Sequence, residues 1–277
     1  MERSFVAAEV NERPHARPAD PDLDFTLDHY REILARITST HRTFSFGEAA
    51  PMGEALLEVD RFVLMRHDVE FSLDAALTMA RADHDAGVRS TFFVQIGSDY
   101  NLFEADGAEA VEEVLDLGHD LGFHYDLGLL ERSGGDPVAL AGRAIDLIEG
   151  FFGTRIRAAS PHLPMRSGRT LRIPGIVDAY DPLYFERIKY LSDSTQAWRE
   201  GVVTSLLDRY DRIQLLTHEY HWTEEGLGWD ELLLLEAEFK YRRLRRRAEA
   251  NVERFREGLR LRAKRDAAFR AGRGGSK

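Results

Sequence analysis

The feature that most constrains this chain of 277 residues is a rhythm. Short runs of β-branched, aromatic and aliphatic residues alternate with longer segments in which apolar residues recur every three to four positions. The short runs are Phe62–Met65, Ser90–Ile96, Leu121–Tyr125, Ile156–Ser160, Ile188–Leu191 and Ile213–Thr217. Helical patterns cover Phe25–Ile37, Ser72–Ala86, Glu109–Leu117 and Asp136–Phe152, and Leu206–Asp211 reads as the end of another. The punctuation agrees, with Asp24 and Ser72 placed as N-caps, Pro137 in a first turn, and Gly87, Gly118 and Gly153 as stops. Strands separated by helices at this spacing make parallel βα units. Residues 1–22 are polar and proline-rich and read as an arm, residues 23–240 as the α/β domain, and residues 241–277 as a basic helical tail.

Composition narrows the chemistry. Hydrophobic residues make up 43% of the chain, enough for a sizeable core, and no cysteine is present. Disulfides, cysteine-ligated zinc, iron–sulfur clusters and thiol nucleophiles are therefore excluded, so a transition metal would sit on His, Asp and Glu. No apolar run approaches the length of a membrane span. The opening residues lack the basic-then-apolar pattern of a secretory leader, and a cytoplasmic location is the expectation. The net charge is −11, yet residues 241–277 hold fourteen Lys/Arg against four Asp/Glu. The remainder is strongly acidic and would repel phosphates, so nucleic acid is not the expected partner. In the tail, Leu244, Val252, Phe255, Leu259 and Phe269 recur at roughly helical spacing, which reads as an amphipathic helix docked on the acidic body or extended from it.

Parallel α/β folds carry their ligand sites at the C-terminal ends of the strands. Just past the successive runs stand His67, Asp68 and Glu70; His124 and Asp126; His162; Asp193 and Ser194; and His218, Glu219 and His221. Imidazoles and carboxylates gathered at one rim suit a divalent ion such as zinc, iron, cobalt or manganese. An ion with one open position gives a hydroxide-like nucleophile near neutral pH, the chemistry of metal-assisted hydrolysis.

The segment LMRHDVEFSLDAALTMARADHDAGVRSTFFVQIGSDYNLF, then VLDLGHDLGFHYD, SPHLP, KYLSDSTQAW and LLTHEYHW, resembles NodB-type polysaccharide deacetylases (carbohydrate esterase family 4). The resemblance is to a divergent branch with Arg-His-Asp-Val at the first motif and spans roughly residues 61–222. It implies a distorted (β/α)7 barrel, one divalent metal, most often zinc, and hydrolysis of N-acetyl groups on a sugar or a sugar-containing precursor.

Carried over position by position, Asp68 matches the metal-binding aspartate, and His67 stands where the general base would be. His124 matches the first of two metal histidines, while the slot of the second falls on Gly128, which offers no ligand. His162 in Ser-Pro-His-Leu-Pro is the expected replacement, with Asp126 and Glu70 as fallbacks. His218 takes the place of the general acid, and Asp193 is expected to orient it or to bind a sugar hydroxyl. Glu70, Tyr100, Asn101, Asp126, Trp198 and Trp222 are expected to contact substrate, the two tryptophans as an apolar wall. Two alternatives stand beside this reading: a hydrolase of another carbon–nitrogen bond in a small metabolite, and a non-catalytic barrel that has lost its metal.

Overall fold

A computed structural model describes residues 20–164 and 168–273, with side chains described as far as 270. Most of the expected N-terminal arm lies outside these residues. The first unit, which ends at Trp229, is built on an eight-stranded sheet in which every pairing is parallel. Its strands are β1 (Arg42–Phe44), β2 (Phe62–Asp68), β3 (Thr91–Val94), β4 (Asp120–Tyr125), β5 (Ala158–Pro161), β6 (Val177–Asp178), β7 (Lys189–Ser192) and β8 (Arg212–His218). Seven follow one hydrogen-bonded path, β6-β5-β4-β3-β2-β8-β7. Strand β1 adds to the first half of β2, from Arg42↔Phe62 to Phe44↔Leu64, and β3 takes over along the second half, from Arg66↔Thr91 to Asp68↔Phe93.

The sheet curls into a distorted (β/α) barrel, with a seam between β6 and β7 that side chains bridge. The hydroxyls of Tyr180, just past β6, and Tyr190 on β7 lie 3.4 Å apart. The amide of Gln214 on β8 donates to the carbonyls of Ala179 and Tyr184 at 3.2 and 2.7 Å. Inside, Arg66 of β2 reaches Ser160 of β5, three strands away along the sheet.

Six labelled helices cover or cap the sheet: α1 (Leu27–Thr40), α2 (Phe46–Ala49), α3 (Leu73–Asp85), α4 (Ala105–Asp116), α5 (Leu127–Arg132) and α6 (Pro137–Phe152). Several begin where the sequence signals them. Ser72 accepts from the Ala75 N–H at the start of α3, and Asp136 accepts from the Val138 N–H with Pro137 at the first turn of α6. Helix α1 starts two residues later than its pattern, because Thr26 rather than Asp24 supplies the cap; Asp24 instead accepts from the backbone and hydroxyl of Thr26. The expected helix over Leu206–Asp211 is absent. A short 3-10 turn, Val203–Ser205, and a following turn occupy this stretch.

The C-terminal helix, Trp229–Arg273, is continuous over 45 residues, and the second unit begins at Asp230. The expected boundary at 240/241 follows the change in charge, and the helix starts upstream of it with an acidic first turn, Asp230 and Glu231, before the basic run. No described helix is long and apolar enough to cross a membrane.

Candidate metal and acid–base site

Because all strands are parallel, their C-terminal ends share one rim, and the sequence places a polar cluster there. Strand β2 shows how the sorting works. All seven of its residues are buried, and its side chains alternate between the two faces of the sheet. Arg66 and Asp68 face the barrel interior, and His67 faces the helix layer.

Arg66 is fully buried and donates to Asp68 through Nε (3.1 Å) and Nη2 (2.7 and 2.5 Å), to Gln214 Oε1 (3.1 Å) and to Ser160 Oγ (2.5 Å). Its guanidinium lies over the rings of Phe93 and Tyr180. Burial alone would raise the Asp68 carboxyl, but the Arg66 charge overrides it and holds this group below its ordinary value, so Asp68 is a carboxylate.

Beside Asp68, three other groups converge. Glu70 follows β2, His124 is the penultimate residue of β4, and His162 follows β5. One donor atom of each lies within 4.8 Å of the others. Glu70 Oε1 is 3.0 Å from His162 Nδ1 and 3.6 Å from His124 Nε2, and Asp68 Oδ2 is 3.8 Å from that same Nε2. His124 Nδ1 lies 3.0 Å from the Ser160 carbonyl, which can only accept, so Nδ1 carries a proton and Nε2 is the nitrogen turned towards Glu70 and Asp68. That Nε2 is buried and has no hydrogen-bond partner among the described residues. A buried imidazole nitrogen facing two carboxylates, at separations too long for hydrogen bonds, is the arrangement a cation satisfies, since metal–ligand bonds of about 2.0–2.2 Å keep neighbouring donors at such spacings. The backbone carbonyl on the far nitrogen is the usual support for a metal-binding imidazole. Burial would raise Glu70, but the imidazoles of His124 and His162 hold it well below the usual carboxylate range, and Glu70 in turn raises His162 against the pull of burial.

The second half of the site lies next door in the sheet, where Asp68 and His218 are register partners of β2 and β8. Asp193, just past β7, is fully buried; its Oδ1 receives the His218 Nδ1–H at 2.7 Å, and both oxygens receive the His218 backbone N–H at 3.1 Å. Trp222 Nε1 donates to Oδ2 at 2.9 Å. Burial pulls His218 down, but the Asp193 carboxylate outweighs it, with Glu70 and Asp68 adding, and the imidazole is pushed up to about 9. It is therefore a cation at neutral pH with Nε2–H left to donate. Asp193 is held far below its ordinary range by His221 and His218, against burial. With His221 Nδ1 3.3 Å from Oδ2, the Asp193, His218 and His221 donors also form a tight trio. The oxygens of Asp193 are taken by the N–H groups of His218 and Trp222, whereas both ring nitrogens of His221, like His124 Nε2, are buried without a hydrogen-bond partner among the described residues; the Glu70 group differs in facing its unpartnered nitrogen to two carboxylates, Glu70 and Asp68.

Several expectations change in this light. His67 is not in the site: its Nε2 is 2.8 Å from Asp83 on α3, its Nδ1 2.7 Å from Thr217, and its ring stacks on Phe92, because the alternation of β2 turns it away from the rim. Asp68 lies outside the candidate trio, with Arg66 on its oxygens, and Glu70, expected both as a substrate contact and as a fallback ligand, stands in the trio. Tyr100 commits its hydroxyl to the Val69 carbonyl and the Gln95 N–H, both at 2.8 Å, and braces the ends of β2 and β3. Asn101 is exposed and accepts from the Phe103 N–H, and Asp126 caps α5 by accepting from the Leu129 N–H. Trp198 and Trp222 form no open wall: both are buried in the main core around Phe25, and Trp222 serves Asp193.

Glu219 has a role that the sequence reading did not assign. It is fully buried, and its Oε1 accepts the N–H groups of Glu70, Phe71 and Ser72 at 3.0, 2.6 and 3.0 Å. It thus pins the loop that presents Glu70 to the start of α3. Burial pushes its carboxyl up to about 7 against the pull of these amides. Its position directly after His218 was the only signal, and nothing in the sequence said where it would point.

No protein-family model and no curated protein matches the chain. Solved structures do. Peptidoglycan deacetylase PdaC from Bacillus subtilis overlaps 68% of this chain and 97% of its own at 17% identity and a TM-score of 0.33. The Xyl-CE4 domain of a multidomain xylanase from the hindgut metagenome of Trinervitermes trinervoides overlaps 68% and 84% at 13% identity and a TM-score of 0.38. A mutant of BA3943, a CE4 family pseudoenzyme with restored enzymatic activity, overlaps 66% of each chain at 10% identity and a TM-score of 0.38. With TM-scores below 0.5, these likenesses carry no weight for what the site does.

Proposed function

We propose that this chain is a divalent-metal hydrolase that removes the acetyl group from an N-acetylated sugar or a sugar-containing precursor. The observation that carries the hydrolytic part is the buried, unpartnered His124 Nε2 among Glu70, His162 and Asp68. The acetylated sugar rests on the motif resemblance. Glu70, His124 and His162 would hold the ion, zinc by preference for this nitrogen–oxygen donor set, with iron, cobalt and manganese also suited. When bound, the ion supplies Lewis acidity towards the amide carbonyl and acidifies water.

The chain's own groups supply the proton traffic. Asp68, kept ionised by Arg66, accepts the proton of the attacking water. His218, kept protonated by Asp193, donates to the leaving nitrogen. Two neighbouring groups held in opposite protonation states at one pH are what an acid–base pair requires. Glu219 and Ser160 position rather than react, the first through the Glu70 loop and the second through His124 Nδ1.

The test is metal content together with acetate release from N-acetylglucosamine oligomers. Purified protein should carry about one equivalent of divalent metal. Glu70→Gln should lose metal and activity together, while His218→Gln should keep the metal and slow turnover by about 10²–10⁴-fold. Wild-type protein that takes up no metal would overturn the reading. Metal uptake without acetate release would retain the hydrolase and discard the sugar.

A further inference from the structure

The C-terminal helix carries an exposed apolar stripe. Leu234, Tyr241, Leu244, Val252, Phe255 and Leu259 are 47–76% exposed and fall on one face at helical spacing, with exposed Ala237, Ala248 and Ala263 filling the remaining turns. The rest of the helix circumference is rich in arginine. Among the carboxylates there, Glu238, Glu249 and Glu253 are already paired with Arg242, Arg245 and Arg256 along the helix. Fourteen basic against four acidic residues over 241–277 leave a large positive surplus beside the stripe.

We propose that this helix lies along an anionic lipid surface, with the stripe in the acyl boundary and the arginines against the headgroups. Long basic amphipathic helices with aromatic and leucine residues on the apolar side bind in this way, by apolar burial and attraction to anionic lipid together. A second copy of the helix fits less well. A heptad frame set by Val252, Phe255 and Leu259 puts Arg245, Arg262 and Asp266 into the seam with a second copy, where their charges would be buried, whereas at a lipid boundary arginine side chains on this face reach back to the headgroups. A nucleic acid would use the arginines and leave the stripe uncovered. The proposal is independent of the reaction at the barrel rim.

The test is flotation of the full chain with vesicles of phosphatidylcholine mixed with phosphatidylglycerol, and with vesicles of phosphatidylcholine alone. Binding to the mixed vesicles should exceed binding to the neutral ones by about tenfold or more and weaken with salt. The double variant Phe255→Glu, Leu259→Glu should lose binding by about tenfold or more while circular dichroism shows the helix retained. Equal binding to both vesicle types, no binding to either, or undiminished binding by the double variant would overturn the proposal. So would a concentration-dependent dimer that the double variant abolishes, which would make a second copy the occupant. Tighter binding to duplex DNA than to the mixed vesicles, unchanged in the double variant, would overturn it in favour of nucleic acid.

Discussion

Arg66 and Asp68 illustrate how a single pair of residues ties fold to chemistry. The arginine is fully buried and satisfied from three strands, so its charge is matched only while Asp68, Gln214 and Ser160 hold their places. Removing it would leave a carboxylate in a low-dielectric interior without its counter-charge. Arg66→Met should therefore destabilise the protein by about 3–5 kcal/mol, read by urea unfolding, and raise the Asp68 pKa, so that any surviving activity shifts to higher pH. In the sequence the two stand two residues apart on one strand, and Asp68 was expected as a metal ligand. The sequence did not show that Arg66 would engage both oxygens of Asp68, because that depends on how the strand sorts its side chains into the barrel interior. Glu70 is two residues beyond Asp68 and past the strand end, where alternation no longer dictates direction. His67 was misassigned for the opposite reason: within the strand alternation holds, and it turns the ring to Asp83.

At the scale of elements, the loop between β2 and α3 is the joint that presents Glu70 to His124 and His162. Its three successive amides converge on Glu219 Oε1, which ties the loop at one buried acceptor. Glu219→Ala strands these donors and opens a cavity, and should cost about 2–4 kcal/mol in thermal or chemical unfolding while weakening metal retention. The joint between the ends of β7 and β8 has its own signature in pH. The folded pKa of Asp193 lies below 3.8, so its contribution is complete above that value and lost as the pH falls further. The folded pKa of His218 is raised from 6.5 to about 9, so its contribution is complete below 6.5 and lost as the pH rises through about 9. In chelated protein the melting temperature of the wild type should exceed that of Asp193→Asn by the most between about pH 4 and 6.5, and the gap should close towards pH 10. Most elements were legible from periodicity and caps, as α3 and α6 show. The short β1 and β6 were not, because three- and two-residue strands have too few positions to display a pattern, and their pairing is set by neighbours distant in sequence.

Over the whole molecule, compactness changes at Trp229/Asp230, about a dozen residues before the charge changes sign. The first unit holds two buried apolar clusters, and the second is one helix with most of its described side chains exposed. Trypsin should cut first within the arginine-rich stretch beyond Tyr241 and leave the barrel unit intact, as checked by intact-mass measurement over a digestion time course. The tail was legible in composition, but its true start was not, because helix continuity across Trp229–Tyr241 runs against the change in charge sign.

Strand β2 finally bears on how mutational data for this chain ought to be interpreted. Residues 66, 67 and 68 are contiguous, and a screen scored by activity alone would register them as one sensitive spot. Yet His67 belongs to a buried polar knot with Asp83 and Thr217 on the helix side, while its two neighbours belong to the reaction side. Scored for abundance and turnover separately, loss at 67 would follow the amount of folded protein, and loss at 68 would follow the rate per folded molecule.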